Sequence, residues 1–507
     1  MSGSQRQGYA CSYCYSYQLF DQIRPTGNRP YSASIHILDD DSLLNIFCLY
    51  RPFPLSEDQD INARLGGGVK WVGEHWWYRP AHVCQRWRNL ILGSASYLGL
   101  CLVCTYRTPV ADMLAHSPPL PLVIDYQYHD ITAEDEEAIA LALAQRDRVR
   151  RIRFHIPLLS LQKLIVAIDG EYPILEYLIL ADPPEEKSTV LILPETLEIP
   201  RLRHLTINCS IPIRFQLLTT AVTSLVTLHL ALHHPSTYFL PTVLLQSLSL
   251  MPQLEVLLIN FHFAVPNHDV ERQLMRTPIA VTHVTLPNLR FLEFQASSAY
   301  LEAALGRITA SRLENLVIFY LMQLEFSVPQ LAQFIARTGN LRFNRAQIDF
   351  NSDQIYMEVD PHLPETNIPV AAFTIGVRCW HLDWQVSSVA QIFNALSQIS
   401  SAVEHLTLTH EDHSLSSEEH NEVDRSEWLK LLRSFSNVET LRIVDGLVRE
   451  LSRCLRLEDG EHPLELLPEL QELTYPGIDE VNDAFTSFIG ARQNTSRPVN
   501  LVKLHHE

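Results

Sequence analysis

From about residue 130 onward, large apolar residues recur in one spacing, L-x-x-L-x-L, with any of them allowed at each L. The clear units are Val149/Ile152/Phe154, Leu175/Leu178/Leu180, Leu202/Leu205/Ile207, Leu225/Leu228/Leu230 and Leu254/Leu257/Ile259. They continue with Leu289/Leu292/Phe294, Leu313/Leu316/Ile318, Val403/Leu406/Leu408, Val438/Leu441/Ile443 and Leu470/Leu473/Tyr475. One or two weaker units fill 341–385, around Leu341, Phe343 and Ile348 and then Phe373, Ile375 and Val377. First positions of the first seven units lie 26, 27, 23, 29, 35 and 24 residues apart, a repeat period with insertions. Helix signals stand between the units. Thr132 precedes Asp135 as a capping pair, Ser327 precedes Pro329 with Gly339 beyond the end, and Ser426 precedes Trp428 and Leu429. Proline stands at or near the start of several units (Pro173, Pro200, Pro252, Pro287, Pro468), where it ends the preceding helix and extends the chain. Helix, short loop and strand in alternation predict an α/β solenoid with a parallel sheet over 131–480. One repeat cannot cover its own apolar face, whereas stacked neighbours can.

A different pattern opens the chain. Residues 1–33 carry Ser, Tyr, Gln and Gly without periodicity and read as a mobile tail. A small helical module is expected over 34–95. Its first helix begins at Asp39 or Asp40, whose side chains cap free N–H groups, and Leu43, Leu44, Ile46 and Phe47 follow at helical spacing until Pro52 and Pro54 stop it. An inserted loop over 52–73 contains Gly66, Gly67 and Gly68. It is not a phosphate loop, because Lys70 has no Gly directly before it and no Ser or Thr after it. Trp71, Trp76, Trp77 and Trp87 concentrate aromatic surface in this part of the chain. A junction over 96–130 and a C-terminal cap or tail over 481–507 complete the layout.

Composition narrows the function. The net charge of −19 disfavours nucleic-acid binding, since a phosphate backbone would be repelled by the molecule as a whole. No apolar run is long enough to span a membrane, and the first residues lack the apolar core of a secretory signal, so an intracellular location, cytoplasmic or nuclear, is expected. Nine dispersed cysteines fit a reducing compartment. The pairs Cys11/Cys14 and Cys101/Cys104 have C-x-x-C spacing but lie 87 residues apart, and Leu98 to Cys104 reads as a buried strand rather than half of a zinc site. His410 to His413 sits in an acidic run that reads as a solvated loop. No motif for a nucleophile, a dinucleotide, a nucleotide phosphate or a catalytic metal is present. The chain is therefore expected to be no enzyme, with no cofactor and no metal.

The stretch Leu38-Asp-Asp-Asp-Ser-Leu43-Leu44-Asn-Ile46-Phe47, followed by Val83-Cys84-Gln-Arg-Trp87-Arg, resembles an F-box. Together with the repeats it is similar to F-box/leucine-rich-repeat proteins, especially the fungal type, and the resemblance covers about 34–480. It implies a three-helix clamp with Trp87, Val83, Cys84 and Leu90 in its core, and an adaptor contact through Leu38, Leu43, Leu44, Ile46 and Phe47. The implied partners are a Skp-family adaptor, through it a cullin ubiquitin ligase, and a protein target held by the repeats. Two departures stand out. Asp39 replaces the family's proline, and the 52–73 insertion lengthens the module. The alternative is a leucine-rich-repeat interaction scaffold whose degenerate box no longer binds the ligase.

If the L positions point inward, the residues between them face the open side of the sheet. His204 and Thr206, Val256 and Leu258, Phe291 and Glu293, Asn315, Val317 and Phe319, His405 and Thr407, and Thr440 and Arg442 are then candidates for target contact. Val256, Leu258, Phe291, Val317 and Phe319 would form an exposed apolar patch there, which either binds a partner or is covered by a loop or the tail.

Overall fold

The structure is a computed structural model. It describes residues 38–50, 76–127, 131–181, 193–208, 222–234, 237–262, 283–360, 372–410, 423–476 and 485–504, apart from isolated positions at 195, 322, 324, 342, 457, 459, 460, 463, 494 and 496. The expected tail, the inserted loop over 52–73, Trp71, Cys11, Cys14 and His413 lie outside the described residues. The chain divides into two compact units, one ending at Leu100 and one beginning at Cys101.

The first unit is helical. Helix α1 (Asp40–Tyr50) is followed by α2 (Tyr78–Ala81), α3 (Gln85–Gly93) and α4 (Ala95–Leu98). The Asp39 carboxylate accepts the Ser42 N–H at 2.7 Å, and α1 begins one residue later, as the capping argument expects. Cys84 is the N-cap of α3, with its sulfur facing the Trp87 N–H at 3.5 Å. Gly99 supplies the left-handed residue that ends α4, with φ at 60°.

The second unit is a leucine-rich-repeat type of solenoid built on a 16-stranded, mostly parallel sheet. Its first strands are β1 (Leu102–Cys104), β2 (Leu122–Gln127), β3 (Val149–His155), β4 (Tyr177–Ala181), β5 (His204–Asn208), β6 (Thr227–Leu232) and β7 (Val256–Phe261). A short side pair, β8 (Val284–Thr285) with β10 (Ile308–Thr309), stands apart from β9 (Phe291–Ala296) and β11 (Asn315–Tyr320) of the main sheet. The remainder are β12 (Arg345–Phe350), β13 (Gln354–Asp360), β14 (Phe373–Arg378), β15 (His405–His410), β16 (Thr440–Val444), β17 (Glu472–Pro476) and β18 (Asn500–Leu504). The sheet thus starts inside the expected junction and runs past 480. Among the described residues no helix is long and apolar enough to cross a membrane.

Every L position of the ten L-x-x-L-x-L units is buried. The second positions stand side by side in one register, Ile152, Leu178, Leu205, Leu228, Leu257, Leu292 and Leu316, none more than 4% exposed. Burying each such side chain stabilises the array by about 1.5–3 kcal/mol. Six of the ten first positions share a turn. The N–H of Leu175, Leu202, Leu254, Leu289, Leu313 and Leu470 each points to the carbonyl three residues earlier. Leu341 makes the same turn, so the weak unit starts like the others.

After that turn the topology departs from expectation. The strand order β11-β14-β13-β12-β15 reverses three strands, and β13 runs antiparallel to both neighbours. Only Asn351, Ser352 and Asp353 separate β12 from β13. Three residues can close a hairpin, but a parallel crossover needs about a dozen or more. A wholly parallel sheet is therefore corrected to a mixed one at this point.

Helices cross between strands: α5 (Val110–His116), α6 (Ala133–Leu143), α7 (Leu158–Ala167), α8 (Pro241–Leu248), α9 (Ser298–Leu305) and α10 (Pro329–Arg337). Further along stand α11 (Leu382–Ala395), α12 (Ser397–Ser400), α13 (Arg425–Arg433), α14 (Val448–Cys454) and α15 (Thr486–Gln493). Thr132 and Asp135 form the expected capping box on α6. The start signals at Ser327 and Ser426 do not act as caps. Asp424 caps α13 through the Ser426 N–H at 3.0 Å. The first free N–H groups of α10 are taken by Glu302 of α9, which accepts from Gln330 at 2.6 Å and Leu331 at 3.0 Å. A neighbouring repeat supplies this cap, so no local pattern announces it. Glu302→Ala should lower stability by about 1–2 kcal/mol, read as an earlier urea midpoint, while a serine placed at Val328 should restore part of the loss.

Candidate interaction surfaces

In the first unit, α1 presents two apolar faces. Leu43 and Phe47, one turn apart, are buried, and the Phe47 ring meets Trp87 edge-on at 5.0 Å. Arg86 fastens the start of α1 to α3 through Asp40 at 2.6 Å and the Leu38 carbonyl at 2.7 Å. Ile46, Leu49 and Tyr50 follow at the i, i+3, i+4 spacing of one helix face, and they are 44%, 75% and 55% exposed. Leu38 is also exposed, Leu44 half-buried.

Two expectations change here. Leu43 and Phe47 face inward, so they support the helix pair and do not lie open to an adaptor. Val83 is not part of the core. It lies in the turn between α2 and α3 and is exposed, because a turn residue has no inward helix face to occupy. Trp87 and Leu90 are half-buried, and Cys84, also half-buried, serves as a cap.

On the solenoid, alternation places the residues between the L positions on the open side. Their cross-strand rows follow the strand register. Tyr177, His204, Thr227, Val256, Phe291 and Asn315 form one row, and Thr206, His229, Leu258, Glu293 and Val317 the next. Arg151 lies over the Tyr177 ring at 4.6 Å, Tyr177 stacks on His204 at 4.2 Å, and His204 Nδ1 meets Thr227 Oγ1 at 3.1 Å. The same device recurs further on, where His405 Nδ1 meets Thr440 Oγ1 at 2.7 Å.

The expected exposed apolar patch is corrected. Val256, Leu258 and Phe291 are buried, packed among open-side neighbours Thr227, Ala231 and Asn260 that are themselves buried. Alternation assigns a residue to a face but says nothing of how deeply its neighbours cover it. Val317 and Phe319 remain half-exposed. Phe319 lies across Gly376 of β14, where any Cβ would collide with the ring, and meets Tyr356 edge-on at 6.0 Å. Asn315, Thr206, Thr407 and Thr440 are half-buried and Arg442 is exposed. Glu293 accepts from Asn260 Nδ2 at 2.7 Å, and burial still raises its pKa above the usual carboxylate range.

The repeat rule also covers His229, between Leu228 and Leu230, although the sequence reading did not single it out. Its Nδ1 is buried without a hydrogen-bond partner, and burial lowers its pKa to about 4. His233 and His262 lie one residue beyond β6 and β7, where no spacing rule reaches. Their rings stack at 4.5 Å with 5° between planes, and His233 Nε2 meets Asn208 Oδ1 at 2.7 Å. Burial lowers the pKa of both, and His262 is further repelled by His233, His229 and Arg378. Among the described residues no group of three or more His, Cys, Asp or Glu side chains is placed to hold a metal ion.

A lowered histidine pKa has a definite sign for stability. Between pH 6.5 and about 4 the unfolded chain takes up the proton and the folded chain does not, so stability falls as pH falls through that window. His229 alone contributes a loss on the order of 1–3 kcal/mol. Thermal midpoints at pH 7.5 and 5.0 should therefore differ less in His229→Gln than in the parent chain.

No protein-family model matches the chain, and no curated protein matches it. Among solved structures, it is similar to the leucine-rich repeat-containing protein LegL7 from Legionella pneumophila over 78% of this chain and 99% of that one, at 12% identity and a TM-score of 0.24.

Proposed function

We propose that this chain is a non-catalytic recruiting subunit. Its first unit docks on a Skp-family adaptor of a cullin-type ubiquitin ligase, and the open side of its solenoid holds a protein target. The observation that carries the first half is the double apolar character of α1. Leu43 and Phe47 fill the unit's own core, while Ile46, Leu49 and Tyr50 stay exposed. Apolar side chains repeated on one helix face are a means of seating a helix against a partner. Tethering would raise the target's effective concentration at the ligase and make a rare encounter intramolecular. No chemical step is assigned to the chain itself.

Asp39 favours a second reading, an interaction scaffold whose box has lost its adaptor. The family's proline is absent there, and the aspartate side chain is taken up in capping the Ser42 N–H.

The test is a pull-down of purified Skp-family adaptor by the full chain. Binding is expected for the parent, with a loss of about tenfold to a hundredfold for the double variant Ile46→Asp, Leu49→Asp at unchanged helical content. No binding by the parent leaves the scaffold reading, and undiminished binding by the double variant removes α1 from the contact. Phe47→Ala is the contrasting control. It should cost about 3 kcal/mol of stability through the lost core and reduce binding only as the unit unfolds.

A further inference from the structure

The hairpin that interrupts the repeat also changes what the open side carries. Glu293, Val317, Thr374 and Glu358 stand next to one another in one cross-strand row, on β9, β11, β14 and β13. Phe319, Gly376 and Tyr356 stand in the adjoining row on β11, β14 and β13. The row from Glu293 to Glu358 is open to solvent. Glu293, Val317 and Thr374 are half-exposed and Glu358 is exposed.

Each end of this row is built to accept hydrogen bonds. At the β9 end, Asn260 Nδ2 donates to the Glu293 carboxylate at 2.7 Å. That bond fixes the orientation of the amide, because a flip would set two oxygens against each other. Asn260 is 7% exposed, and its Oδ1 has no hydrogen-bond partner. A buried acceptor without a donor is costly, and this one belongs to a side chain bonded to a carboxylate. Two acceptors at one place suit a positively charged donor. At the β13 end, Glu358 shares the open side with Asp360, two residues on, and with Asp349, which stands opposite Tyr356. Asp349 is held by Gln347 and Thr409. Arg345 stands opposite Asp360 and Arg378 opposite Gln354, both outside the row. Between the two ends Phe319 lies across Gly376 and meets Tyr356 edge-on, an aromatic floor beside Val317.

We infer that this stretch of the open side seats an extended segment of the protein target, with two basic side chains four residues apart and an apolar one midway. The inference rests on the target-holding half of the proposed function. Its spacing follows from strand geometry. β9, β11, β14 and β13 are successive neighbours in the sheet, so Glu358 stands about 14 Å from Glu293, at about 4.8 Å per strand. An extended chain rises about 3.3 Å per residue, so its residues i and i+4 lie about 13 Å apart and share a face with i+2. An arginine at the first position reaches Glu293 with one N–H and offers another to Asn260 Oδ1, a fork that a lysine ammonium lacks. The midway side chain falls between β11 and β14, against Val317 and the Phe319 ring. The second basic group meets Glu358 where Asp349 and Asp360 crowd it with like charge.

The probe is fluorescein-labelled Ser-Arg-Ser-Leu-Ser-Arg-Ser, titrated against the full chain by anisotropy at low salt. A chain of net charge −19 attracts any cationic peptide. The comparison peptide, Ser-Arg-Arg-Leu-Ser-Ser-Ser, therefore keeps the composition and sets the arginines side by side. The spaced probe is expected to bind about threefold tighter or more, a measurement that needs no variant. The double variant Glu293→Gln, Glu358→Gln should weaken the spaced probe about fivefold or more. It leaves Asn260 Nδ2 an oxygen to donate to, and thermal midpoints check the fold. The double variant Glu134→Gln, Glu137→Gln removes the same charge from α6 and should bind like the parent. The inference is overturned if the spaced probe does not bind, if the two peptides bind equally, or if the Glu293/Glu358 variant binds no worse than the α6 variant. Adaptor pull-down in parallel keeps the readings separable. Its failure with spaced-probe binding intact removes the ligase role and leaves this surface standing, and the reverse result strikes this surface alone.

Discussion

Each repeat of the solenoid depends on the next strand lying in register beside it. A lone strand with three leucines has nowhere to put them, and a lone strand–helix pair covers only part of its apolar face. With neighbours about 4.8 Å away on either side, the row from Ile152 to Leu316 becomes continuous and dry. The turn shared by six of the ten units, and by Leu341, delivers the chain to that register. The hairpin of β12 and β13 reverses the order of strands yet keeps the inward row, since Ile348, Met357 and Ile375 stand opposite one another and are buried. The constraint is therefore on the side-chain ladder and not on strand direction.

Once the inward face is spoken for by leucine, the open face is where polar residues can vary. Its chemistry is not uniform. Arg151, Tyr177, His204 and Thr227 interlock across four strands, β7 is buried on both sides, and a stacked histidine pair stands just past the ends of β6 and β7. Further along, burial raises the pKa of Glu358, and the nearby Asp349 and Asp360 raise it further. Charge is thus sorted along the sheet, and different stretches of one surface differ in chemistry.

The first unit solves a smaller problem with less material. Two buried residues of α1, one edge-on aromatic contact and one arginine that reaches both Asp40 and the Leu38 carbonyl hold α1 against α3. Placing further apolar residues on the outer face of α1 adds nothing to that internal core. It leaves Ile46, Leu49 and Tyr50 exposed on one helix face.

The sequence by itself determined the repeat. The spacing of Leu175, Leu178 and Leu180 and of the nine matching units states which residues face inward, because strand alternation is a local property. Asp39 and the Thr132–Asp135 pair were legible as helix starts for the same reason, since a cap acts over three residues. Tertiary structure decided the rest. The cap on α10 comes from Glu302, 28 residues earlier than Gln330, the burial of Val256 and Leu258 comes from neighbouring strands, and His233 meets His262 only because β6 and β7 pair. Those contacts join residues far apart in the chain, and a pattern read along one strand holds no information about what the next strand brings beside it.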